Sequence, residues 1–259
     1  MIDMINMFGL VTGVFISATA AYLGTLMLSR RMTLVAGPLG HLTLPGIALA
    51  LLYGFDITLG AFPFVIIGMI LIWLFGIKTK LPTEALTAIT FASGVAIAFL
   101  FLPIEQAEVA LVGDIDRVSF WDMVFSLALS IGVFATLKKC YSKIVLINIS
   151  EDLAKVQEIN VKKYNLIYLL SIAIIVSLGV KLVGGLLTAA LVAIPASASR
   201  NLSRNLSTYF SLAIFFGILS CILGIFVSQL YNLPSGVLII LINATIFVVS
   251  SIFKIKNSS

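Results

Sequence analysis

The chain has 259 residues, of which 61% are hydrophobic and 10% charged, and its mean hydropathy is +1.18. A soluble domain carries about 25% charged residues, so this composition excludes one. The formal net charge of +5 could suggest an anionic partner, but the basic residues fall where membrane topology puts them, and no nucleic-acid partner is expected.

Apolar runs of about 20 residues, the length that crosses a bilayer, recur along the whole chain. The expected fold is all-α: a polytopic helical membrane protein with about nine transmembrane helices in one domain, residues 1–259. No cleaved signal peptide is expected, because the start lacks a basic region and a small-residue cleavage site and carries Asp3. Span one is 8–28, ending at Arg30 and Arg31; Gly9, Gly13, Ser17 and Ala21 form a small-residue stripe suited to packing inside the bundle. Span two is 34–53. It contains Gly37-Pro38-Leu39-Gly40-His41-Leu42-Thr43-Leu44-Pro45-Gly46, with the only histidine of the chain. Helix breakers at membrane depth are tolerated only where the backbone is buried in protein or lines a cavity. A lone ionisable ring there is either a functional group or a core histidine satisfied by a neighbour.

Span three is 59–77, closed by Lys78 and Lys80, and span four is 83–102, with Glu84 at its inner end. Span five is 120–137, closed by Lys138, Lys139 and Lys143. Ser150 is placed to cap a short surface helix beginning at Glu151 and Asp152, with Leu153 and Val156 on one face. Spans six to nine are 166–180, 182–199, 208–230 and 236–253. A single helix over 166–199 would be about 50 Å long against a hydrocarbon core of about 30 Å, so two spans are expected there. With the N-terminus outside, every basic residue except Arg117 and Lys181 then lies on the inner side, as the positive-inside rule requires. Asp3, Asp56, Glu105, Glu108, Asp114, Asp116 and Asp122 fall outside and would form an acidic mouth, or simply solvate the loops. The two cysteines, Cys140 and Cys221, lie at different depths and are not expected to pair.

The basic segment between spans seven and eight, Pro195 to Leu206, lies inside; Arg200 and Arg204 are four apart and so share a helix face. Such a surface could meet lipid headgroups or a soluble partner. There is no phosphate-binding G-x-x-x-x-G-K-[ST] loop, no H-E-x-x-H and no G-x-S-x-G. No carboxylate sits mid-span, where a proton-coupled carrier would carry one. The chain reads as a non-enzymatic pore or carrier body, with no cofactor. From these residues alone it could be a self-sufficient channel or secondary carrier, or take its energy from another chain.

Several segments resemble the membrane permeases of ABC importers for zinc, manganese or iron. Arg30-Arg31-Met32 followed by His41-x-x-Leu44-Pro45-Gly46 is similar to that family's R-R-M…S-H-x-x-L-P-G. Glu84 to Ala98 resembles its E-D-x-x-I-G-I-x-F segment, and Glu151-Asp152-Leu153-Ala154 with Asn160-Val161-Lys162 its D-E-x-x-A…G-x-x-V. Val183-Gly184-Gly185-Leu186-Leu187 through Pro195-Ala196-x-Ala198-x-Arg200 resembles V-G-x-L-L-x-x-A-L-L-x-x-P-A-x-x-A-R, the most specific of these matches, and Leu233-Pro234-Ser235-Gly236 resembles L-P-S-G. The resemblance implies a fold like that of the vitamin B12 importer permease and a homodimer with the pore between subunits. It implies a cytoplasmic ABC ATPase subunit, an extracytoplasmic metal-binding protein, and an inner or plasma membrane location. It makes His41 the candidate metal ligand, the metal being cargo, and it makes Ala198, Arg200, Asn201, Leu202 and Arg204 the ATPase-coupling segment. One departure matters: the family's aspartate and serine, four and one residues before the histidine, are here Gly37 and Gly40. A metal chelate or another small solute is the alternative cargo.

Overall fold

In the computed structural model, residues 7–30, 32–55, 57–101, 113, 115, 118–185 and 187–254 are described. Among them the structure is all-helical: α1 (Met7–Ser29), α2 (Ala36–His41), α3 (Leu44–Tyr53), α4 (Ile57–Thr79), α5 (Thr83–Phe101), α6 (Phe120–Ile149), α7 (Glu151–Val156), α8 (Val161–Val183), α9 (Thr188–Leu202), α10 (Leu206–Tyr231) and α11 (Ser235–Ile252). A short 3-10 turn, Thr33–Val35, leads into α2.

Seven of these helices are long and apolar enough to cross a membrane: α1, α4, α5, α6, α8, α10 and α11. The other two expected spans are present but are not continuous membrane helices. Span two is divided into the 3-10 turn, α2 and α3, and span seven is reduced to α9, of 15 residues. At 1.5 Å per residue α9 reaches about 22 Å, short of the ~30 Å core. The loss comes from its start: α8 ends at Val183 and the chain leaves it through Gly184, whose φ of +82° a side chain would disfavour. Span five is longer than expected. Its lysines do not end α6, which runs 30 residues to Ile149 because 138–149 contains no glycine or proline and buries Ile144 and Ile147.

Helix starts follow side-chain chemistry. Ser119 and Asp122 make a reciprocal capping box on α6. Ser150 accepts the Leu153 N–H at the start of α7, Asn160 that of Lys163 on α8, and Asn205 that of Thr208 on α10. Asp122, the one described member of the expected acidic mouth, is thus a capping residue; the others lie outside the described residues.

α1 is the central post, packed against α6, α8, α9 and α10. Its expected stripe packs internally: Gly13 meets Cys221, and Ser17 and Ala21 meet Gly217 of α10. Ile16, Leu23, Leu26 and Met27 of α1 join Tyr168, Ile172 and Val176 of α8 and Leu191 and Val192 of α9 in the core. Lipid tails are as apolar as these side chains, so close packing, rather than exclusion of water, holds the helices together. Cys140 and Cys221 are both free.

Candidate functional site: two helix breaks around His41

The break in span two is built from prolines that cannot donate. Pro45 sits in the first turn of α3, where its missing N–H costs least. Between α2 and α3 the chain tightens: Thr43 N–H and its hydroxyl both donate to the Gly40 carbonyl, the hydroxyl at 2.6 Å. The second break, between α8 and α9, is satisfied in the same way, by the Thr188 hydroxyl donating to the Gly184 carbonyl at 2.6 Å.

The two breaks touch. A Cβ at Gly40 would stand 2.2 Å from the Gly185 carbonyl oxygen, so only glycine permits this approach. Gly37, one turn earlier, is different: a Cβ there would meet only the Ala189 Cβ, at 3.6 Å, an ordinary contact. The last turn of α2 and the non-helical backbone at Gly185, from distant parts of the sequence, are thus buried together.

His41 ends α2 beside this junction. Its ring is half-buried and lies 5.4 Å from the Phe91 ring of α5, at 50°. The nearby hydroxyls of Thr87 and Thr90 donate to carbonyls of their own helix. Among the described residues no three histidine, cysteine, aspartate or glutamate side chains gather where they could hold a metal. Among the described residues His41 therefore offers a single imidazole beside an aromatic ring. α5 is also the least covered of the spanning helices, with most of its surface exposed.

The expected coupling segment is not one surface. α9 ends at Leu202 and Ser203 is extended, so Arg200 and Arg204 do not share a helix face. Arg200 and Arg204 are exposed. Ala198 is fully buried, Asn201 donates to Ser250 of α11 at 3.1 Å, and Leu202 lines an apolar hollow with Phe216, Val249 and Phe253. A better-formed exposed surface is α7. Ala154 anchors it with no exposure, while Leu153 and Val156 stand 54% and 81% exposed on the face turned away from the bundle.

From the sequence, Arg30 is a topology marker and the first residue of the R-R-M match. In the structure its Nε donates to Asn148 Oδ1, its Nη1 donates to Asn165 Oδ1 at 2.9 Å, and its guanidinium lies 4.5 Å over the Tyr168 ring. Burial lowers its pKa from the ordinary arginine value, with Tyr168 and Glu151 acting against that.

A profile of the ABC 3 transport family matches residues 3–254. This chain belongs to that family. It is accordingly a membrane subunit of ABC transport, a permease with no ATP-hydrolysing site of its own. The permease is 24% identical over 251 residues to the manganese transport system membrane protein MntC of Listeria monocytogenes, covering 95% of this chain and 90% of that one. It is 28% identical over 257 residues to the high-affinity zinc uptake system membrane protein ZnuB of Haemophilus influenzae, covering 95% of each. Its fold matches PsaBC from Streptococcus pneumoniae, solved with a Fab, at a TM-score of 0.79 and 22% identity over 93% of this chain and 89% of that one. It also matches an inward-facing putative metal-chelate type ABC transporter at 0.77 and 18%, over 96% and 86%.

Proposed function

We propose that the permease carries a divalent first-row metal ion, zinc or manganese, inward across the cell membrane, with iron as a further candidate. It works as a homodimer driven by a separate cytoplasmic ATPase and loaded by an extracytoplasmic metal-binding protein. The observation that carries this reading is His41, a half-buried imidazole at the junction of two helix breaks, in a family whose relatives include manganese and zinc systems. Neutral imidazole is a ligand for such metals. One imidazole per chain makes a weak site, which suits a pathway that must release its cargo. A second copy laid over the open face of α5 would enclose the site between subunits. The N-terminus lies outside and the C-terminus inside, from the placement of the basic residues.

On the inner side the ATPase meets α7 through Leu153 and Val156, with exposed Arg200 and Arg204 as a second, charged contact. A metal chelate is the other cargo this site allows, because Gly37 leaves open space where a carboxylate would have tightened it around a bare ion.

Radioactive zinc and manganese uptake into cells, for wild type and His41→Ala, tests the cargo. Loss of flux in the variant is expected, and wild-type flux in it removes His41 as a ligand. Purification in detergent tests the machine, since a permease that recruits no ATPase is not one half of an ABC importer.

A further inference from the structure

Among the described residues Arg30 is the one guanidinium that the helices partly enclose, and it is held by neutral groups on two helices. Asn148 lies on α6 and Asn165 on α8, and the Tyr168 beneath it is fully buried. A buried cation is costly to keep, and fold stability alone is often served as well by an apolar residue. Two amide oxygens give the planar fork direction without the tight hold of a carboxylate.

The position of this clamp is specific. Asn148 stands two residues before Ser150, the cap of α7. Asn165 lies in the second turn of α8, which follows α7. Both roots of α7 therefore converge on one side chain. That side chain follows directly on α1, and from it the chain leads through the Thr33–Val35 turn into α2 and His41.

We propose that Arg30 is a positioning residue for transport: it ties both roots of α7 to the segment carrying His41, so that force applied to α7 resets α2. This rests on the reading of α7 as the element that the ATPase meets.

The test is ATP-driven uptake of zinc and manganese into proteoliposomes, with the ATPase subunit that co-purifies with the wild-type permease and with the metal-loaded extracytoplasmic binding protein supplied outside. Three quantities are measured: ATPase bound per permease, ATP hydrolysed per metal ion moved, and melting temperature. Arg30→Met is expected to keep its ATPase and to hydrolyse ATP while moving at least tenfold less metal per ATP. Arg30→Lys recovers only part of this, because an ammonium cannot bridge two oxygens as a planar fork does. Asn148→Asp, which gives the clamp a charge-assisted bond, is expected to melt higher and transport more slowly, a combination that a purely structural role does not produce. Unchanged metal per ATP in Arg30→Met overturns the proposal. So does Asn148→Asp that is more stable with full transport, which decides the matter even where Arg30→Met fails to fold. A wild type that binds no ATPase and moves no metal overturns the underlying reading as well, and is told apart because it fails before any substitution is made.

Discussion

Placing an aspartate at position 37 gives the sharpest test of the metal reading. Gly37 and His41 both lie in α2, one turn apart, so a carboxylate at 37 would share a face with the imidazole. The space exists: the new Cβ would meet only the Ala189 Cβ at 3.6 Å, whereas at Gly40 it would be driven to 2.2 Å from the Gly185 carbonyl. An unpaired carboxylate near mid-membrane costs about 2.5–3.5 kcal/mol. Metal-free Gly37→Asp should therefore melt roughly 5–14 °C below wild type. A metal present at 100 times its dissociation constant returns about 2.7 kcal/mol, so manganese should restore most of the loss and shift the variant far more than wild type. The assay is thermal melting in detergent with and without manganese, for wild type, Gly37→Asp and the double variant with His41→Ala. If Gly37→Asp melts like wild type in both conditions, or if its manganese shift survives His41→Ala, then the two positions do not make a metal site and the reasoning fails.

Other expectations follow from the same geometry. Gly40→Ala should lose about 1–3 kcal/mol by overpacking the junction, read as a lower melting temperature, with reduced uptake because α2 is displaced. Leu153→Asp with Val156→Asp should abolish ATPase co-purification without lowering the melting temperature, since both side chains face away from the bundle; retained ATPase would shift the docking surface to Arg200 and Arg204. Ser150→Ala should cost about 1 kcal/mol of local stability by uncapping α7, seen as faster amide exchange in 151–156. Single cysteines at exposed Leu153 and Tyr231 should label from the inside and the outside respectively; the reverse pattern would invert the topology.

Much of the fold was legible because its code is local. Apolar length located the seven helices long enough to cross a membrane and the two broken segments among them, and Ser150 announced α7. The break in span two was visible in its prolines and glycines. The break in span seven was not, because Gly184 and Gly185 sit in an otherwise apolar run; the adjacent glycine pair was the available signal, and φ at Gly184 is what it served. Lysines mark where α6 leaves the hydrocarbon, but they do not end a helix that has no breaker, so span five was read short. His41 could be singled out as the only histidine, while its neighbour Phe91 and the Gly40–Gly185 contact depend on how distant helices pack. The partners of Arg30 lie 118 and 135 residues away, beyond any periodicity that a single sequence carries.

The length of α6 has a mechanical meaning. Its 30 residues span about 45 Å, some 15 Å more than the hydrocarbon core. The excess leads α6 on to α7, and the Arg30 clamp grips it at Asn148, beside the α7 end. A rod of that length turns a tilt of 5° into roughly 4 Å of sideways travel at its tip, and it works equally in reverse. A small closing stroke of a motor bound at the tip becomes a small, forceful rotation inside the membrane, so the permease can be geared by the length of one helix.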